Sequence, residues 1–151
     1  MSSTSLSDLL ARQAVEDAVV RLFVATDERD WPTLEDCFTN PFVLDMTSMV
    51  GGDPAEMTPQ QVAQAWAAGF EPLDHVHHQI GNLRTQVDGG NATVKCYGVA
   101  FHHRSSAAGL KTRVFVGTYD LSLTHQGDTW RVDRLVFHLS FIDGNLNLET
   151  S

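Results

Sequence analysis

The chain has 151 residues, 10 Lys and Arg against 19 Asp and Glu for a formal charge of -9, and 42% apolar residues. A chain of this length buries roughly two thirds of its unfolded surface, so one soluble domain over residues 1–151 needs neither a disulfide scaffold nor a structural metal. The acidic balance argues against nucleic acid or an anionic membrane as partner, because affinity for either rests on clustered Lys and Arg.

The elements follow in chain order. From Ser7, Leu9, Leu10, Val15, Val19, Val20, Leu22, Phe23 and Val24 recur at three- and four-residue spacing, which predicts a helix to about Arg29 with Ser5 or Ser7 as cap. Asp30-Trp31-Pro32-Thr33 reads as a new helix start, with Asp30 as cap and Pro32 in the first turn, running to about Phe38. Phe42–Met46 is a short strand between loop chemistry at Asn40-Pro41 and at Gly51-Gly52-Asp53-Pro54. Thr58-Pro59-Gln60-Gln61 opens a further helix to about Gly69. The second half holds β-type runs at Val76–Val87, Ala92–Arg104, Lys111–Thr124 and Thr129–Phe141. Asp88-Gly89-Gly90-Asn91 and Gln126-Gly127-Asp128 are hairpin turns, and Ser105–Gly109 is a longer polar loop, so these strands are antiparallel. Helices first and a meander after predict an α+β domain with helices on one face of a curved sheet.

Seven histidines are a surplus, and five fall in two clusters, His75, His77, His78 and His102, His103. Strand alternation puts Ala92, Val94, Cys96, Gly98, Ala100 and His102 on one small apolar face, so His102 ends an inward face. His78 shares a face with Ile80, whereas His75 and His77 point oppositely, and Gly81-Asn82 marks a bulge where parity switches. On the first helix the stripe Val20, Phe23, Val24 continues into Asp27, which is either a buried carboxylate in need of a partner or an ordinary helix end facing water. The inward partner available to it is His78, whose tautomer it would fix. A metal on His75-x-His77-His78 finds no carboxylate or cysteine at ligand spacing, so no metal is expected. Cys37 and Cys96 match no metal or redox motif and read as buried, reduced thiols. Nucleotide-loop, nucleophile-elbow and zinc-protease signatures are absent, so no cofactor is expected. Trp31, Trp66, Trp130, Phe42 and Phe137 read first as packing under the sheet. The N-terminus has neither the basic start nor the apolar run of a signal peptide, which makes the cytoplasm the expected location.

The order of these pieces resembles the nuclear transport factor 2 superfamily and its SnoaL-like branch, which contains scytalone dehydratase and the bile acid dehydratases. The resemblance covers nearly the whole chain. Its anchors are Thr26-Asp27-Glu28-Arg29-Asp30-Trp31, Leu44-Asp45-Met46, His78-Gln79-Ile80-Gly81, His102-His103-Arg104 and Gly127-Asp128-Thr129-Trp130. It implies a cystatin-like cone, with a mixed edge to the antiparallel sheet and a cavity between sheet and helices. By position it implies Asp27, His78 and His102 as catalytic residues. Thr26 and Met46 stand where the dehydratases have water-holding tyrosines, and Tyr119 where they have an asparagine, so scytalone itself is not the expected substrate. With Trp66, these three are the expected substrate contacts, and the Tyr119 hydroxyl would polarise the substrate.

The expected activity is that of a cofactor-independent dehydratase or isomerase for a hydrophobic cyclic molecule of polyketide, steroid or terpenoid type. The rivals are a non-catalytic binding or structural subunit of the same fold, and a polyketide cyclase using a lone carboxylate, Asp27 or Asp45. Val99, Phe101, Val114, Val116 and Val136 are assigned to the sheet face away from the helices, which predicts a homodimer or homotrimer.

Overall fold

The computed structural model describes residues 3–151; Met1 and Ser2, which belong to the N-terminal stretch where no signal peptide is expected, lie outside the described residues. Helix α1 spans Leu6–Glu28 and opens on a reciprocal box, in which the Ser5 hydroxyl accepts from the Asp8 N–H and the Asp8 carboxylate accepts from the Ser5 N–H. Its buried stripe is Val15, Val19, Leu22, Phe23, Ala25 and Thr26. Val20 and Val24, predicted to face inward, are each 45% exposed, and Leu9 and Leu10 also lie in solvent. The stripe is rotated because Thr26 can be buried: its hydroxyl donates to the Leu22 carbonyl one turn back, 2.8 Å away, and so needs no water.

Helix α2, Trp31–Asp36, is capped by Asp30 as predicted but ends earlier, because Phe38 already belongs to β1, Phe38–Asp45. Asn40-Pro41 lies inside that strand instead of in a loop. Proline is tolerated there because the pairing of β1 with its neighbour is irregular between Phe38 and Val43, where no ladder hydrogen bond is forfeited. Two elements have no counterpart in the sequence reading, the single turn α3, Thr47–Val50, and β2, Ala55–Met57. Both are too short for a period to show. Helix α4, Pro59–Phe70, starts on the predicted Thr58 cap.

The four long strands are β3, His75–Asp88; β4, Asn91–His103; β5, Thr112–Gln126; and β6, Thr129–Gly144. The sheet has six strands in the order β2-β1-β6-β5-β4-β3, parallel only between β1 and β6. The helices pack on its inner face, an open α+β arrangement. Pairing of β3 with β4 breaks between Gly81 and Arg84, and Asn82 takes a positive φ of 52°. Parity switches there as predicted, with Val76, His78 and Ile80 turned inward before the break and Leu83, Thr85 and Val87 after it.

A second apolar cluster joins Leu73, Val76 and Ala107 to Leu148, whose side chain is 0% exposed. The Arg104 guanidinium donates to the carbonyls of Leu148, Glu149 and Ser151, which fastens the last residues beside the ends of β4 and β5. On the outer face Tyr97, Phe101 and Phe141 are exposed, but Val136, assigned there as an exposed residue, is buried. Among the described residues no helix is long and apolar enough to cross a membrane.

Glycines on the paired strands β4 and β5 make room for aromatic rings. A Cβ on Gly98 would fall inside the Tyr119 ring, and one on Gly117 would collide with the His138 backbone carbonyl and press on the Phe137 ring at 2.8 Å. Gly98→Ala is therefore expected to lower stability by about 1–3 kcal/mol, the usual cost of overpacking, read as a drop in urea midpoint. A neutral effect would mean that the Tyr119 ring lies elsewhere.

Candidate active site

Between the inner sheet face and α1, α3 and α4 lies a cavity of about 280 Å³. Its wall is mostly aromatic and aliphatic, with Phe23, Phe70, Phe115 and Phe137 prominent. The polar groups on it come from Thr26, His78, His102 and Tyr119. All the expected substrate contacts line it, Thr26, Met46, Trp66 and Tyr119, as do both expected histidines. Trp66 thus borders the cavity as well as the Phe38 ring, 6.4 Å away, instead of being packing alone. The wall also includes Met49 and Val50, which sequence reasoning missed because α3 itself was missed.

Asp27 does not line the cavity; it stands behind His78. It lies in the last turn of α1, against β3, which is an edge strand with unpaired backbone groups. Oδ2 accepts the His78 backbone N–H at 2.8 Å, and Oδ1 lies 2.7 Å from Nδ1 of the same residue. A carboxylate only accepts, so Nδ1 carries a hydrogen and the neutral ring keeps its lone pair on Nε2. The predicted pairing of these two residues is therefore present, although the α1 stripe that led to Asp27 is centred on Leu22 and not on Val20.

His102 is held in the opposite form. It ends the inward face of β4, with its ring 5.5 Å from Phe70 and 5.0 Å from Phe115. Arg113 Nη2 sits 3.0 Å from His102 Nδ1, and a guanidinium only donates, so Nδ1 accepts and the neutral ring carries its hydrogen on Nε2. Burial, reinforced by the positive charge of Arg113 and by His78, pushes the pKa of His102 down to about 4. Arg113 is in turn clamped by Glu149, whose two carboxylate oxygens take Nη1 and Nη2. Sequence reasoning named neither residue. Arg113 shares the inward parity of Phe115 and Tyr119, a usable signal, whereas nothing near Glu149 marks it.

The Tyr119 ring lies 4.9 Å from Phe23 and 4.8 Å from Phe137, and burial raises its pKa well above the ordinary phenol value, so its hydroxyl is a donor and not a base. Asp45 serves α3 instead of the cavity, accepting from the Thr47 N–H and hydroxyl, which holds its carboxyl below the usual range. His75 and His77 are exposed, and His103 bonds the Thr112 hydroxyl, so the two clusters send only His78 and His102 into the cavity. Among the described residues no three His, Cys, Asp or Glu side chains converge as a metal would need. Cys37 and Cys96 are free and buried, and burial pushes each thiol up to about 11, so neither is a thiolate at neutral pH.

The His102 environment carries a pH signature. Its folded pKa of about 4 lies below the ordinary 6.5, so the unfolded chain takes the proton first. Stability is complete above about pH 6.5 and is lost as pH falls towards 4, by up to about 3 kcal/mol at about 1.4 kcal/mol per pH unit. His102→Asn, which keeps an acceptor for Arg113, is expected to show a smaller drop in urea midpoint between pH 7 and pH 4.5 than wild type. Equal drops would show that His102 is not held neutral.

A family model described as SnoaL-like domain matches residues 7–136. No curated protein matches the chain. Among solved structures, the Kfla4162 protein of Kribbella flavida superposes with a TM-score of 0.88 at 22% identity, over 95% of this chain and 99% of that one. A scytalone dehydratase-like protein of Novosphingobium aromaticivorans does so at 0.80 and 13%, over 92% and 90%. A type 2 hexachlorocyclohexane dehydrochlorinase (LinA) gives 0.77 and 13%, over 97% and 96%. At these identities the structures speak for the fold, while the family model matches the sequence itself, and the chain belongs to the SnoaL-like domain family.

Proposed function

We propose that the protein is a cofactor-independent lyase or isomerase acting on a neutral, mostly apolar cyclic molecule with a carbonyl-activated C–H bond, of polyketide, steroid or terpenoid type. The observation that carries this reading is a pair of histidines on one apolar cavity, His78 held at Nδ1 by a carboxylate and His102 at Nδ1 by a guanidinium, partners that call for opposite tautomers. His78 offers the Nε2 lone pair of a base, and His102 offers an Nε2–H donor.

The chemistry follows from those atoms. His78 Nε2 takes the proton next to the carbonyl, and Asp27 stabilises the imidazolium that forms. The carbonyl oxygen gains charge and is met by His102 Nε2–H, with the Tyr119 hydroxyl as second donor. A neutral imidazole of such low basicity polarises an oxygen but does not protonate a leaving group, so the His78 imidazolium passes the proton it took from carbon to the leaving hydroxyl. The C–H and C–O bonds break, a C=C bond forms and water departs. If no leaving group is present, His78 returns the proton to another carbon and the product is an isomer. Relatives named for dehydration and dehydrochlorination fit an elimination of this kind.

At about 30 Å³ per water, the cavity holds the equivalent of roughly nine waters. One or two fused rings fill that space, and a longer substrate extends past Met49 and Val50. A binding module would use the same apolar wall but has no use for a carboxylate-fixed base, which favours the enzyme.

On a panel of hydroxylated and halogenated cyclic ketones, Asp27→Asn and His78→Gln are each expected to lower kcat by about 10²–10⁴ with circular dichroism and melting temperature near wild type. Turnover that survives either change rules the mechanism out. The exposed Tyr97, Phe101 and Phe141 supply the proposed contact between copies in a homodimer or homotrimer. Sedimentation is expected to show an oligomer that Phe101→Glu dissociates, and a monomeric wild type would remove this proposal.

A further inference from the structure

His102 could serve as acid, base or fixed donor, and what decides among these lies outside the cavity wall. Four charged or titratable groups bear on its ring: Arg113 on β5, Glu149 in the C-terminal segment, His78 on β3 and Asp27 on α1. Only Arg113 touches it, through Nη2 and Nδ1 at 3.0 Å. The guanidinium packs over the Phe115 ring, 5.0 Å from its centroid, and its Nε is buried with no partner among the described residues. A buried donor without a partner costs stability, as does a buried cation, so Arg113 is poorly suited to be packing alone.

What makes the cation tolerable is Glu149, whose two oxygens face its two terminal nitrogens. Glu149 is in no strand or helix. It is delivered by its neighbour Leu148, sunk in the second apolar cluster, and by Arg104, which gathers three carbonyls of the last four residues. A chain end with no regular structure of its own is therefore anchored on both sides of one carboxylate.

The geometry points to Arg113, braced by Glu149, as a positioning residue that pins His102 as the neutral Nε2–H tautomer and so makes it a fixed donor to the substrate oxygen instead of a second acid or base. Its consequence for turnover rests on the proposed reading of His78 as base, but the tautomer is a property of the free protein. Without Arg113 the two neutral tautomers of His102 differ little, and a ring that carries its hydrogen on Nδ1 turns a lone pair, not a donor, towards developing negative charge.

The test reads the ring nitrogens of His102 by 15N NMR at pH 7 in the full-length protein. Wild type is expected to show a protonated Nε2 and an unprotonated Nδ1; a protonated Nδ1 would overturn the assignment without any variant. Arg113→Met is expected to bring both tautomers into exchange and to let His102 take up a proton at higher pH than in wild type, and an unchanged spectrum counts against Arg113. Glu149→Gln, which loosens the guanidinium, is expected to broaden the same resonances, and a spectrum identical to wild type removes Glu149 from the assignment. With any substrate from the ketone panel, Arg113→Met is expected to lower kcat by up to about a hundredfold with KM little changed. A change confined to KM would mark Arg113 as a structural or binding group. Failure here and failure of the proposed function are distinct, since turnover surviving Asp27→Asn sinks the latter while the His102 spectrum still decides the former.

Discussion

The edge of a β-sheet exposes a row of backbone donors, and the site depends on how one of them is used. Asp27 reaches from the last turn of α1 to the outermost strand and takes both the backbone N–H and the ring nitrogen of the same residue, His78. One carboxylate thus fastens helix to sheet and orients the imidazole. The two tasks are inseparable, because the backbone bond fixes where the ring bond must form. Parity of β3 completes the arrangement, since a strand without the irregularity at Gly81–Asn82 could not turn both Ile80 and Leu83 towards the helices.

Opposite tautomers on two neighbouring histidines of one sheet face are an electrostatic outcome more than a packing one. Each imidazole is set by a neighbour that can act in only one sense, a carboxylate that accepts or a guanidinium that donates. The aromatic cavity wall keeps water from competing with these bonds and holds His102 uncharged at neutral pH. The two imidazoles stand on one wall, on the paired strands β3 and β4, where His78 lies opposite Ala100 and His102 opposite Val76.

The cavity is made possible by small residues as much as by large ones. Gly98 and Gly117 let the Tyr119 and Phe137 rings lie down on the sheet, which lowers the floor and leaves space above it. The turn α3, held by Ser48, closes one side of that space, while the C-terminal residues, held by Arg104 and Leu148, stand outside it behind Arg113.

By itself the sequence determined the capped starts of α1, α2 and α4, the four long strands, their hairpins and the parity that sends His78 and His102 inward. These are local matters: a cap is completed within three or four residues, and alternation along a strand needs no knowledge of its partner. It also carried enough of the helix period to reach Asp27, although the face was read one step off because Thr26 is buried by a hydrogen bond to its own helix. Only the tertiary structure decided that Asn40-Pro41 runs inside β1, that α3 and β2 exist, and that Arg113 and Glu149 stand behind His102. Those features depend on groups far apart in the chain meeting at a few ångströms, and neither periodicity nor composition records which distant groups will meet.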